Sequence, residues 1–79
     1  MISINPIKKS DYYKILQIEQ GLFEDPMTQI ELNNFVSQNH FKIWKIEKDR
    51  IIGYVSFYKV KEELEIIKIG IMKSHQRKN

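Results

Sequence analysis

The spacing of apolar residues changes at His40, and this change constrains the fold more than any other feature of the chain. Up to that point apolar residues recur at helical intervals, whereas beyond it they form runs rich in β-branched and aromatic side chains. Three runs predict strands, at residues 41–47, 51–59 and 64–72. The connections between them are too short for the crossover that parallel strands require, which predicts an antiparallel meander. Gly53 inside the second run predicts a close backbone approach or a bulge.

The first half of the chain contains signals for one short strand and a helix. Residues 3–5 predict a strand that Pro6 ends, because proline cannot donate to a strand ladder. Ser10 is the predicted N-cap of a helix over residues 11–20, and Gly21 is its predicted C-terminal stop. One face of this helix is predicted to carry Tyr12, Ile15, Leu16 and Glu19.

A second helix has a stronger start signal. Thr28 and Glu31 form a capping box, in which each side chain can bond to the backbone amide of the other residue. Met27 and Leu32 stand at the two positions of a hydrophobic staple around the same end. The polar residues 37–40 predict its end. The predicted fold class is therefore α+β, with the order β-α-α-β-β-β and a mainly antiparallel sheet.

Length and composition limit the chain to a single domain over residues 1–79 with marginal stability. The absence of cysteine excludes disulfides and cysteine-based metal sites, and it fits a cytoplasmic protein. No apolar run approaches the roughly 18 residues needed to span a bilayer, and the N-terminus lacks the features of a signal peptide. His40 and His75 are far apart and show no metal-ligand spacing, so no metal site is predicted.

The basic excess of the chain lies at its C-terminal end. The net charge is +3, and residues 73–79 contain Lys73, Arg77 and Lys78 without any acidic residue. The rest of the chain is balanced in charge. A nucleic-acid binder more often spreads basic residues along one face, which argues against nucleic acid as a partner. A short basic run suits either one small anion or a solvated chain end.

Two motifs resemble the GNAT superfamily of N-acetyltransferases. Residues 65–71, E-I-I-K-I-G-I, are similar to the strand that precedes the pyrophosphate-binding loop of that family. Gln76 stands at the first position of the loop motif, Q/R-x-x-G-x-G/A. Residues 51–54, I-I-G-Y, are similar to the third strand of the family. The order of the predicted elements also resembles the first half of a GNAT domain.

The resemblance extends to one branch of the superfamily. Residues 15–19, with Phe23 and Pro26, look like the ribosomal-protein alanine N-acetyltransferases, although Met27 stands where that branch usually has tryptophan. All 79 residues take part in the resemblance, but they reach only the first half of the family's domain, and Asn79 stands where the first loop glycine belongs. The chain is therefore expected to be the N-terminal portion of a GNAT domain without its C-terminal half.

The resemblance implies acetyl transfer from acetyl-CoA to an α-amino group of the ribosomal-protein type, with a protein N-terminus as the acceptor. Glu65 is the implied catalytic base, and an ordinary charged residue beside Glu62 and Glu63 is the alternative reading of it. The implied acceptor-groove residues are Phe23, Glu24, Pro26 and Met27. The implied acetyl-CoA-binding residues are Ile69, Gly70 and Ile71 on the strand and Gln76, Arg77, Lys78 and Asn79 on the loop.

Two functions from different classes remain open on the sequence. In the first, the chain is an acetyltransferase fragment that is inactive alone and that a second polypeptide completes. In the second, it is a non-enzymatic interaction module that pairs with a partner, or with itself, through the open edge of its last strand. An unpaired apolar edge strand invites such pairing. Both readings expect a cytoplasmic protein without membrane contact.

Overall fold

The computed structural model describes residues 1–76, and its elements follow the predicted order β-α-α-β-β-β. They are strand β1 (Ser3–Pro6), helices α1 (Tyr12–Leu22) and α2 (Gln29–Val36), and strands β2 (Phe41–Lys48), β3 (Arg50–Val60) and β4 (Glu63–Ile71). Single 3-10 turns at Lys9–Asp11 and Lys73–His75 precede α1 and follow β4. The predicted α+β class is confirmed.

The four strands form one antiparallel sheet in the order β1-β2-β3-β4. β1 extends the predicted meander to four strands, because it pairs with β2 from Ser3 opposite Glu47 to Pro6 opposite Trp44. Pro6 is the last residue of this strand, in agreement with the prediction that it ends the strand, and an edge strand tolerates proline because some of its N–H groups are unbonded. β4 forms the opposite edge of the sheet.

α1 and α2 pack on one side of the sheet, which we call the helix face, and the core lies between the helices and the strands. Ile43 on β2 and Tyr54 on β3 reach this core from alternating strand positions. Ile15, Ile18 and Leu32 complete the buried cluster from the helices. We call the other side of the sheet the open face, because no element within residues 1–76 covers it. No helix in this part of the chain is long and apolar enough to cross a membrane.

Two β-bulges interrupt the strand pairing. One lies on β3 opposite Ile46 and Glu47, and the other is at Ile67 on β4, which the pairing skips. Gly53 adjoins the first bulge, and a Cβ atom at this position would come within 2.5 Å of the Gly70 carbonyl oxygen. The prediction of a close backbone approach or a bulge at Gly53 is therefore confirmed.

The start of α1 differs from the prediction. A 3-10 turn at Lys9–Asp11 comes first and α1 begins at Tyr12, so Ser10 is not the N-cap. The Asp11 carboxylate instead accepts a hydrogen bond from the Lys8 amide (2.9 Å) and caps the turn. The prediction of Ser10 as the cap is wrong because Ser10 and its neighbour Asp11 are both good capping residues, and their types alone do not distinguish them.

The predicted end of α1 is wrong, whereas the predicted start of α2 is confirmed. Gly21 lies within α1 without a left-handed conformation, and Phe23 ends the helix in an extended conformation, so Gly21 as the stop is wrong. The capping box of α2 is confirmed, because Thr28 Oγ1 accepts from the Glu31 amide (3.2 Å) and Glu31 Oε1 accepts from the Thr28 amide (2.9 Å). Leu32 after it is fully buried.

Candidate functional site

A buried polar cluster joins α1 to β3 and β4, and we call it the Glu19 cluster, consisting of Glu19, Tyr54 and Lys68. Glu19 projects from the apolar side of α1 and is 0% exposed. Its Oε2 accepts hydrogen bonds from the Tyr54 hydroxyl and from Lys68 Nζ (3.1 Å). Its Oε1 accepts from the Met27 amide (2.8 Å). Both carboxylate oxygens are therefore bonded, as a buried charge requires.

The same contacts fix the ionisation of the cluster. Burial alone would raise the pKa of Glu19, but the bonds from Tyr54, Met27 and Lys68 outweigh it and hold that pKa below its ordinary value of 4.5. Burial, together with the Glu19 carboxylate, raises the pKa of the Tyr54 hydroxyl far above its ordinary value of 10.0. At neutral pH Glu19 is therefore ionised, and Tyr54 is a neutral donor to it.

We expect the chain to lose stability in acid because of Glu19. A carboxyl whose pKa is lower in the folded state stabilises fully above its unfolded pKa, here 4.5, and loses this effect as the pH falls through the folded value. Urea unfolding between about pH 7 and about pH 3 measures the effect. The Glu19→Gln variant cannot titrate at this position, so its free energy of unfolding should change less with pH. If the free energies of unfolding of the two proteins changed equally with pH, the expectation would be contradicted.

The Glu19 cluster anchors the loop between α1 and α2, which contains the predicted acceptor-groove residues. Phe23 lies under Lys68, whose ammonium is 4.2 Å from the ring centroid. Met27 donates its amide to the cluster. Pro26 is half-buried and Glu24 is exposed. The structure thus brings Phe23 against Lys68 of β4 and Met27 against Glu19 of α1, whereas Glu24 faces solvent.

The backbone of β4 presents hydrogen-bonding groups along its outer edge. The Met72 amide donates to the Ile52 carbonyl oxygen (2.8 Å), and bonded residues alternate along an antiparallel ladder. The register has no shift in this stretch, so Gly70 bonds to β3 in the same way. Ile69 and Ile71 therefore direct their backbone N–H and C=O groups away from the sheet.

Two of the predicted acetyl-CoA-binding residues contact each other at this edge. Gln76 Nε2 donates to the Ile71 carbonyl oxygen (2.6 Å), which keeps a second lone pair for another donor. Gly70 is buried against the Glu19 cluster, because a Cβ atom there would lie 2.8 Å from Cε1 of the Tyr54 ring. The other predicted loop residues, Arg77, Lys78 and Asn79, lie outside the described residues.

Glu65, the predicted catalytic base, lies on the helix face of β4 opposite Tyr58. It is exposed. The ion pairs found within residues 1–76 do not involve it, since they join Lys45 to Asp11 (3.0 Å) and Lys68 to Glu19 (3.1 Å). The carboxylate of Glu19 is therefore held by hydrogen bonds on both oxygens, whereas the carboxylate of Glu65 is exposed.

An apolar cleft of about 300 Å³ opens between α1 and the turn that follows β4. α1 contributes Ile18 and Leu22 to its lining, and Met72 contributes from the other side. Lys14 and Lys73 add positive charge to the lining. The sequence does not predict this cleft, because its two sides are far apart in the chain.

Comparison with solved structures identifies the fold. No protein-family model matches the chain, and no curated protein matches it in sequence. The crystal structure of the ribosomal-protein-S18-alanine N-acetyltransferase from Escherichia coli matches with a TM-score of 0.76 at 18% sequence identity, over 98% of this chain and 50% of that chain. The fold is GNAT-like. The chain spans about half the length of the enzyme that it matches.

Within the GNAT-like fold, the Glu19 cluster is the feature that sequence analysis missed. The sequence placed Glu19 on one face of the first helix with Tyr12, Ile15 and Leu16, but assigned it no bonding partner. A carboxylate on an otherwise apolar helix face is the signal that could have found the cluster, because such a group must be paired when it is buried. The resemblance to the GNAT fold, in contrast, is confirmed by the structural match.

Proposed function

We propose that the chain is part of an N-acetyltransferase that transfers an acetyl group from acetyl-CoA to a protein α-amino group of the ribosomal-protein type. In the proposed enzyme the remaining half of the domain completes the site. The observation that carries the proposal is the outer edge of β4, where Ile69 and Ile71 direct backbone groups away from the sheet. The fold likeness to an N-acetyltransferase supports the same function.

Acetyl-CoA suits this edge because its pantetheine arm is an extended chain that carries amide groups. Such a chain can add to a free strand edge through backbone hydrogen bonds, as a peptide does in strand addition. Ile69 and Ile71 bond to the arm in the proposed complex. Gln76 then begins the segment that receives the pyrophosphate, and Lys73 in the neighbouring turn adds positive charge near that anion.

The proposed reaction forms one C–N bond and breaks one C–S bond. The neutral amine nitrogen of the acceptor attacks the thioester carbon, and the CoA sulfur leaves with the bonding electron pair. Glu65 takes the proton that the amine loses, and the proton passes from its carboxyl group to solvent or to the CoA thiolate. The loop that the Glu19 cluster anchors holds the acceptor segment beside β4 through Phe23 and Met27.

The exposure of Glu65 supports the proposal that the chain is inactive alone. A general base must lie within hydrogen-bond distance of the proton that it removes, in a fixed orientation. Glu65 is exposed, and the ion pairs of the described chain do not hold it. The remaining half of the domain covers this part of β4 in the proposed enzyme and orients the carboxylate.

Calorimetric titration of acetyl-CoA into the purified chain tests the binding step apart from the chemistry. We expect a dissociation constant on the order of micromolar. The Ile69→Pro variant should bind about tenfold more weakly, because proline removes the outward N–H while the bonds between β4 and β3 remain. Ile69→Val is the matched control, since it keeps the backbone groups and should bind as the parent chain does.

Circular dichroism of all three proteins checks that their strand content is the same. A folded parent chain that does not bind acetyl-CoA would contradict the proposed use of the β4 edge. Equal binding by the Ile69→Pro variant would contradict it as well, because the arm would then bond elsewhere.

The same edge favours a second candidate function, a non-enzymatic module that pairs through β4. The exposed side chains of Leu64 and Ile66 give this edge an apolar character. The bulge at Ile67 and the charge of Lys68 oppose pairing between two copies, since both features discourage contact between strand edges. Static light scattering distinguishes the functions, because self-pairing doubles the mass of 9.5 kDa.

A further inference from the structure

Lys68 on β4 is held by two contacts beside the loop between α1 and α2. Its ammonium donates to Glu19 Oε2 (3.1 Å) and lies 4.2 Å from the centroid of the Phe23 ring. The Lys68 side chain is nevertheless 38% exposed, whereas that of Glu19 is 0% exposed. An ammonium has three N–H groups, and within residues 1–76 the Glu19 carboxylate is the one group that accepts from it. Lys68 can therefore donate to a further oxygen that arrives from solvent.

The pair of Lys68 and Glu19 exposes its positive member. The Glu19 carboxylate is buried and also accepts from the Tyr54 hydroxyl and the Met27 amide, so three donors share its negative charge. The two contacts of Lys68 already restrict its side chain. An anion that binds this lysine therefore loses less side-chain entropy than it would at a mobile lysine. A held and partly exposed cation of this kind favours a carboxylate.

Lys68 and Glu65 lie on the same face of β4. Their partners on β3 are Ser56 and Tyr58, so the two positions are two residues apart along the ladder, about 7 Å in a strand. In the proposed reaction Glu65 takes the proton of the acceptor amine. The second residue of an extended acceptor has its Cα about 3.8 Å from that of the first, and its side chain reaches further. A carboxylate at the second position can therefore contact Lys68 while the amine lies at Glu65.

We propose that Lys68 selects acceptors with Asp or Glu at the second position. This inference rests on the proposed function, in which the acceptor segment lies beside β4 against the loop between α1 and α2. Glu24 and Asp25 in that loop are exposed, and their carboxylates would repel such an acceptor. The direct contact with Lys68 outweighs this repulsion, because water and salt screen exposed charges that are not in contact.

Fluorescence anisotropy of two short peptides tests this preference. One peptide begins Ala-Asp and the other Ala-Asn; they are otherwise identical, carry no other charged side chain and have a dye at the C-terminal end. Asparagine has the shape of aspartate without its charge. Each peptide is titrated with the folded chain in the absence of acetyl-CoA. The Ala-Asp peptide should bind about threefold more tightly, as for a partly exposed ion pair, and salt should reduce the difference.

Substitutions of Lys68 test whether this residue causes the preference. Lys68→Gln keeps a donor for Glu19 but removes the charge, so the two peptides should bind equally. Lys68→Arg keeps the charge and should keep the preference. The matched control is Lys59→Gln, which removes an exposed charge opposite Leu64 on the open face and should also keep the preference. Circular dichroism of each variant checks that its strand content is that of the parent chain.

Equal affinity of the parent chain for the two peptides, or no binding of either by the folded chain, would overturn the proposal. A folded Lys68→Gln protein that keeps the preference would overturn it too, as would loss of the preference in Lys59→Gln. If Lys68→Gln does not fold, the parent chain and Lys68→Arg still provide the test. This titration contains no acetyl-CoA and the calorimetric titration contains no peptide, so failure of the proposed acetyl-CoA binding and failure of this inference are separate results.

Discussion

Replacing Glu19 with alanine is expected to unfold most of the chain at room temperature. The substitution removes the acceptor for the buried Tyr54 hydroxyl and for the Met27 amide. A buried donor left without a partner costs about 1–3 kcal/mol, so the two together cost roughly 2–6 kcal/mol. A chain of this length rarely has more than about 3–5 kcal/mol of stability to lose. The loss at this one position therefore approaches the whole stability of the fold.

Urea unfolding followed by circular dichroism measures this loss, and two variants serve as controls. Glu24→Ala removes an exposed carboxylate from the adjacent loop and should change the free energy of unfolding by less than about 0.5 kcal/mol. Glu19→Gln keeps the shape and part of the hydrogen bonding, so its effect should be intermediate. If Glu19→Ala were as stable as Glu24→Ala, the cluster would not hold α1 to the sheet.

The features predicted correctly from the sequence depend on residues that are close together in the chain. The change of period at His40 separates helices from strands because each secondary structure repeats its side-chain directions at its own interval. The capping box of Thr28 and Glu31 is local in the same sense. Gly53 could be interpreted because glycine inside a strand has few uses other than a bulge or a close approach.

The features that sequence analysis missed depend on pairs of distant residues. Glu19 and Lys68 are 49 positions apart, and only the packing of α1 on β4 brings them together. Gly21 is a usual helix stop, yet α1 continues past it because Leu22 packs against the core cluster and tertiary contact overrides the local preference. The cleft beside Met72 is invisible in the sequence for the same reason.

In the candidate site, too, local motifs were predicted from the sequence and contacts between distant residues were not. The resemblance selected Ile69 and Ile71 from a local motif, and the structure gives these residues outward backbone groups. The choice of Glu65 also came from a motif, and no contact within residues 1–76 tests its role. The burial that distinguishes Glu19 from Glu65 results from which strand positions α1 covers, and a residue pattern alone does not contain that information.

Gly53→Ala is expected to lower the melting temperature by roughly 10–25 °C, from a loss of about 3 kcal/mol, the upper end for overpacking a core. The new methyl group would lie 2.5 Å from the Gly70 carbonyl oxygen and 3.2 Å from Ile71 Cα. Both atoms belong to the backbone of β4, so relief requires β3 and β4 to move apart. That movement would also disturb the outward groups of Ile71, and acetyl-CoA binding should weaken with stability.

The matched substitution Gly21→Ala should have the opposite sign. A Cβ atom at Gly21 would have no heavy atom within 4 Å, and this glycine lies within α1. Alanine is more favourable than glycine in a helix interior by about 0.5–1 kcal/mol, so the melting temperature should rise by a few degrees. The same substitution of glycine by alanine thus has two opposite effects on the melting temperature. Steric contact lowers it at Gly53, and reduced backbone entropy of the unfolded chain raises it at Gly21. A Gly53→Ala protein that melts with the parent chain would show that β3 and β4 do not approach as closely as the structure places them.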